Sequence, residues 1–128
     1  MVDNSDSSNV NVVIAFTDPA MDVEEREAEA QNLLDQMQEL EEVEDVDRIL
    51  DPNPPEGNKA LGGFLIGMLT AEVNPANVKR IMGFLGDRLS GKTIEMEVEA
   101  NGRKLKVKAS SQAELISAIE AAQKFIAS

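Results

Sequence analysis

The chain has 128 residues, with 24 acidic and 12 basic side chains, a net charge of −12, and neither cysteine nor histidine. That length buries a core within one domain, and the missing residue types exclude disulfides, thiolate metal sites, cysteine nucleophiles and any Ser-His-Asp or Cys-His arrangement within the chain. So acidic a chain repels nucleic acid and anionic membrane, and neither is an expected partner.

Four Phe and no Tyr or Trp leave an aliphatic core, with six Met as filler. Residues 1–58 hold 17 acids against two bases, Arg26 and Arg48, whereas residues 59–128 hold seven acids and ten bases. An acidic half of this kind suits solvation or a basic protein surface. The N-terminus is polar and acidic without an apolar signal region. The uncharged apolar stretch from Ala60 to Ala71 is too short to span a bilayer. A cytoplasmic protein is the expectation.

Residues 1–9 read as a disordered polar tail ahead of a single domain, 10–128. Val10, Val12, Ile14 and Phe16 alternate as a strand, and Val13 with Ala15 suggests cover on both faces. Asp22 with Glu25 is a capping box opening a helix to about Glu42, with Ala30, Leu33, Leu34, Met37 and Leu40 as its buried stripe. Val43 to Leu50 follows as a strand. Residues 51–58, with three prolines in four positions, form an internal linker. The apolar, Gly-containing run from Lys59 to Val73 reads as a buried helix. Asn74-Pro75 then caps an amphipathic helix through Val78, Ile81, Met82, Leu85 and Leu89.

Asn101-Gly102 stands between two alternating runs and predicts a two-residue hairpin with a type I′ turn. That turn fixes register: Glu99 faces Lys104, Glu97 faces Lys106 and Glu95 faces Lys108, while Val98, Met96 and Ile94 face Leu105, Val107 and Ala109. Ser111 with Glu114 is a second capping box, and the last helix runs from about Gln112 to Ala127. The expected fold is α+β, a four-stranded mixed sheet with helices packed mainly on one face, in the order β-α-β-α-α-β-β-α. The charged ladder of the hairpin would face water.

Four stretches suggest chemistry. Gly86 to Thr93 matches the phosphate-binding pattern G-x-x-x-x-G-K-[ST], but a helix precedes it and a strand follows, the inverse of what phosphate binding requires. Gly91 is better placed as a helix C-terminal glycine with Lys92 at the negative helix end. The acids from Glu41 to Asp47 are spread over two faces by strand alternation, and the Asp51–Gly57 stretch matches a calcium loop at two positions only. Gly62-Gly63 lacks the spacing of a dinucleotide loop. No catalytic, cofactor-binding or metal-ligating residue is assigned.

The stretch from Ala60 through the amphipathic helix, the hairpin Thr93-Ile-Glu-Met-Glu-Val-Glu-Ala-Asn-Gly-Arg-Lys-Leu-Lys-Val and the Ser110-Ser-Gln-Ala-Glu-Leu lead into the last helix resembles the effector-associated constant component family of small bacterial domains. The resemblance covers residues 60–128 well and the N-terminal part loosely. It implies a non-enzymatic adaptor in a bacterial conflict or signalling system, partnered with a caspase-like or trypsin-like effector, and carries over no catalytic residue. The expectation is a protein-interaction module whose candidate surfaces are the acidic helix, Glu24, Glu25, Glu29, Glu39 and Glu42, and the hairpin's polar face or outer edge. The alternative is a small ferredoxin-like ligand-binding regulatory domain using the cleft near the proline-rich linker.

Overall fold

The computed structural model describes residues 9–53 and 63–127. Strand β1 (Val10–Phe16) leads to helix α1 (Val23–Gln38), then β2 (Val43–Leu50), β3 (Phe64–Val73), a 3₁₀ turn (Pro75–Asn77), α2 (Val78–Arg88), β4 (Ile94–Ala100), β5 (Arg103–Ala109) and α3 (Gln112–Ala127). The sheet has five strands in the order β2-β3-β1-β4-β5, and every neighbouring pair is antiparallel. This corrects the expected four-stranded mixed sheet and its element order. The segment expected as a buried helix is β3. Leu69, Ala71 and Val73 are buried, while Thr70 and Glu72 between them are half-buried, a period of two. Gly67 within the run has φ +69, which no helix accommodates. Crossing over through α1 sets β2 parallel to β1, and β3 folds back between them. That insertion makes all contacts antiparallel. The first six elements thus follow the split β-α-β-β-α-β connectivity of ferredoxin-like folds, extended by β5 and α3.

One face of the sheet carries the core. Val12, Ile14, Leu69, Ala71, Met96 and Val98 point from the three central strands toward the helices. Ala30, Leu33, Leu34 and Met37 of α1, Ile81, Met82 and Leu85 of α2, and Leu115 and Ala122 of α3 close over them. The Gly86 position brings α2 against α3, since a Cβ there would lie 3.2 Å from Ile119 Cδ1. The opposite face is open, so β1 is an interior strand covered on one side only. Val13 and Ala15 remain half-buried between their strand neighbours.

Several local features follow the sequence closely. Asp22 Oδ1 accepts from Glu25 N at 2.7 Å and Glu25 Oε1 accepts from Asp22 N at 2.9 Å, the reciprocal box that starts α1. The helix ends at Gln38, earlier than Glu42, because Leu40 N turns back to Met37 O. The hairpin has the expected register, Ala100 opposite Arg103 through Ile94 opposite Ala109, with Asn101 at φ 55 and Gly102 at φ 75. At the start of α3, Ser111 Oγ accepts from Glu114 N at 3.2 Å. The Glu114 carboxylate, however, accepts from Ser110 N and Oγ, one residue earlier than a capping box requires. Asn9, placed in the tail from sequence, is buried beside β1 and donates to Glu72 Oε2 at 2.8 Å. Residues 1–8 of that tail, residues 54–58 of the linker and residues 59–62 lie outside the described residues.

Candidate interaction surfaces

The acidic half of the chain has two cations, and the fold turns both inward. Arg26 is half-buried and its Nε donates to Met21 O at 3.3 Å. Arg48 lies on the helix-covered face of β2, with a side chain 6 % exposed, and pairs with Glu27 of α1. The reason is a local irregularity. Between Arg48↔Leu69 and Leu50↔Phe64 the pairing advances two residues on β2 and five on β3. The surplus residues of β3 bulge and leave carbonyls without ladder partners. Arg48 Nε donates to Met68 O at 2.9 Å and Nη2 donates to Leu65 O at 3.2 Å. Glu27 Oε1 closes the arrangement by accepting from Arg48 Nη2 and, at 2.7 Å, from Gly67 N. The Phe64 ring lies 5.1 Å from the guanidinium. This is a knot of structure that ties α1, β2 and β3 together.

With both cations withdrawn, the outer side of α1 and the outer edge of β2 present mostly acids. Glu24, Asp35, Glu39, Glu41 and Glu44 are exposed there, whereas Asp45 and Asp47 of β2 alternate with buried Val46 and Arg48 and belong to the open sheet face. The five candidate acids differ in their surroundings. Glu24 and Glu39 stand at opposite ends of α1. Glu25 is engaged in the cap, Glu29 pairs with Lys92 at 3.3 Å, and Glu42, in the turn after the helix, pairs with Arg80 at 3.4 Å. Asp35, Glu41 and Glu44 join Glu24 and Glu39 as exposed acids on this side; the excess of acids over bases in residues 1–58 was the sequence signal for them.

The open sheet face is the second surface. In its middle row Asp47, Thr70, Val13, Glu97 and Lys106 follow one another across the five strands; in the next, Asp45, Glu72, Asn11, Glu99 and Lys104. Acids therefore occupy β2, β3 and β4, and lysines occupy β5. The hairpin's opposed charges are less closely paired than their register suggests. Glu95 alone of the three glutamates makes ion pairs among the described residues, with Lys106 at 3.4 Å and Lys108 at 3.8 Å. Such exposed pairs contribute about 0–1 kcal/mol each.

The other motifs take structural roles. Gly86 lies inside α2, and Gly91 has φ +79 just past its end, with Lys92 N donating to Leu89 O at 3.0 Å. In the helix–turn–strand order a strand, not a helix, follows the Gly86–Thr93 segment, and Ser90 Oγ donates to Gln112 Oε1 at 2.8 Å. Asp51 Oδ1 accepts from Asn53 N at 2.9 Å, a local turn at the start of the proline-rich stretch. Ser110 Oγ and Glu114 Oε1 lie 2.9 Å apart. Ser110's backbone N–H, then its hydroxyl, hold the Glu114 carboxyl below its ordinary pKa, which suits a helix cap and makes it a weaker base. Among the described residues no group of three or more acidic side chains is placed to hold a metal ion, and no helix is long and apolar enough to cross a membrane. No family model, characterised protein or solved structure matches the chain.

Proposed function

We propose that this chain is a non-enzymatic adaptor that docks a basic surface of a protein partner onto the acidic side formed by α1 and β2. The observation that carries the reading is the inward placement of Arg26 and Arg48, which leaves Glu24, Asp35, Glu39 and Glu41 exposed and, among the described residues, without an ion pair. Charge of this kind speeds encounter with an oppositely charged surface and gives salt-sensitive association. The resemblance of residues 60–128 to effector-associated components supports a bacterial conflict or signalling setting, with a caspase-like or trypsin-like effector as the partner class. Co-purification from the native host tests it. The tagged chain should retain a protein partner, and the variant Glu24→Gln/Asp35→Asn/Glu39→Gln/Glu41→Gln should lose it. Undiminished retention by the variant would refute the assignment of this surface.

A second reading is a small ligand-binding regulatory domain. It is favoured by the split β-α-β-β-α-β connectivity, although connectivity alone assigns no ligand. A retained metabolite in place of a protein would decide for it.

A further inference from the structure

We propose that two copies of this chain pair through their open sheet faces, about a two-fold axis parallel to β1, with the β5 lysines of each against the β2 aspartates of the other. The surface lies across the sheet from α1, so this inference goes beyond the adaptor reading and stands or falls apart from it.

Reading across the face, the aspartates of β2 stand at one edge and the lysines of β5 at the other, with Thr70, Val13 and Ala15 between them and Glu72 of β3 and Glu95, Glu97 and Glu99 of β4 on either side of β1. Two sheets that pack face to face keep their strands within about 30° of each other. A two-fold axis along β1 lays β5 of one copy over β2 of the other. Lys106 then meets Asp47, Lys104 meets Asp45, and each Val13 meets its own counterpart. An axis across the strands would lay lysine on lysine and aspartate on aspartate. Among the described residues, Asp45, Asp47 and Lys104 have no ion pair within their own chain, and Lys106 would exchange its exposed 3.4 Å pair with Glu95 for Asp47 of the second copy. Glu72 opposite Glu99 is an unfavourable contact in this arrangement and limits its strength. Strands of seven to ten residues at about 4.8 Å spacing and about 3.4 Å rise make a face of roughly 500–600 Å², or about 1,100 Å² for both copies. That area is at the lower bound for a specific association, which makes the dimer a weak one.

A charge swap tests the pairing. Sedimentation of the wild-type chain up to about 1 mM should show a concentration-dependent dimer. Lys104→Glu/Lys106→Glu and Asp45→Lys/Asp47→Lys should each sediment as monomers, because each sets like charges against like. Mixed in equal amounts they should form a heterodimer, since both sides of the interface are then complementary. Circular dichroism of each variant establishes that it is folded. As an independent measurement, Val13→Cys should oxidise to a covalent dimer across the axis, whereas Asn32→Cys on the outer side of α1 should not; the chain has no other cysteine. A wild-type chain monomeric at every concentration, a dimer that survives both variants, or folded variants that stay monomeric on mixing would each overturn the proposal.

Discussion

Replacing Glu27 by Gln keeps the shape of the side chain and removes the counter-charge of Arg48. The guanidinium is then left on the covered face of the sheet, its side chain 6 % exposed, with the carbonyls of Met68 and Leu65 as its remaining strong partners. Breaking a buried ion pair from one side costs about 3–5 kcal/mol, because the other charge stays desolvated. Glu27 also accepts from Gly67 N at 2.7 Å, and a neutral amide oxygen can keep that bond, so the lower end of the range applies. Arg48→Met fails differently. It leaves Glu27 half-satisfied and strips the bulge carbonyls of their donors, each a loss of about 1–3 kcal/mol, so the upper end applies. Unfolding entropy of about 2.1 cal/mol/K per residue gives about 0.27 kcal/mol/K for this chain of 128 residues. A loss of 4 kcal/mol then lowers Tm by about 15 °C. Thermal melts followed by circular dichroism, with urea unfolding of the two single variants and of Glu27→Gln/Arg48→Met, complete the cycle. The double variant should cost less than the sum of the singles by about 1–3 kcal/mol, since removing both charges leaves neither stranded. If either single variant costs under about 1 kcal/mol, or the costs add, the pair does not hold α1 to the bulge.

Two further outcomes are expected. Gly67→Ala should destabilise by about 2–4 kcal/mol in urea unfolding, since the backbone sits at φ +69 and the new Cβ would lie 3.1 Å from Arg26 Cβ and 3.2 Å from Phe16 O. Gly63→Ala, at φ +75 but in open space, should lose only the backbone part, about 1–2 kcal/mol, and equal losses at the two sites would refute the packing argument. The Glu114 carboxyl is held below its ordinary pKa by the Ser110 backbone N–H and hydroxyl. A pKa lowered on folding stabilises the protein at neutral pH, and that stabilisation is lost as pH falls through the unfolded and then the folded value. The stability gap between wild type and Glu114→Gln should therefore close in acid, and a gap constant with pH would show that the carboxylate's charge is immaterial there.

Local chemistry was legible in the residues. The Asn101-Gly102 turn admits one register because positive φ is needed at both positions, and that register is the one formed. The Asp22–Glu25 box placed the start of α1, and the spacing Val78, Ile81, Met82, Leu85 placed the buried side of α2. The acidity of the first half was equally plain. What misled was β3. Its half-buried Leu65, Ile66 and Met68 fill the period-two pattern of Leu69, Ala71 and Val73, so an apolar run of that length reads as a buried helix. The polar Thr70 and Glu72 were the local signal of a strand. Of the candidate acids, Glu25, Glu29 and Glu42 have partners in the cap, at Lys92 and at Arg80, two of them distant in sequence.

Hydrogen-bonding and conformational demands that close within a few residues are written into the chain, and these set the turn, the caps and the helix faces. Demands that close across the chain are not. Arg48 looks like any surface cation in an acidic stretch until β3 bulges against β2 and offers it the Leu65 and Met68 carbonyls. Only then does the pairing with Glu27, 21 residues earlier, become the way to bury it. The same insertion of β3 beside β1 decided which acids share a face, set the lysines of β5 at the far edge from the aspartates of β2, and so gave the open sheet its charge order. Sequence determined the net charge and its division between the two halves; tertiary pairing alone decided which of those charges stand side by side, because strand neighbours are chosen by long-range contacts that no local window contains.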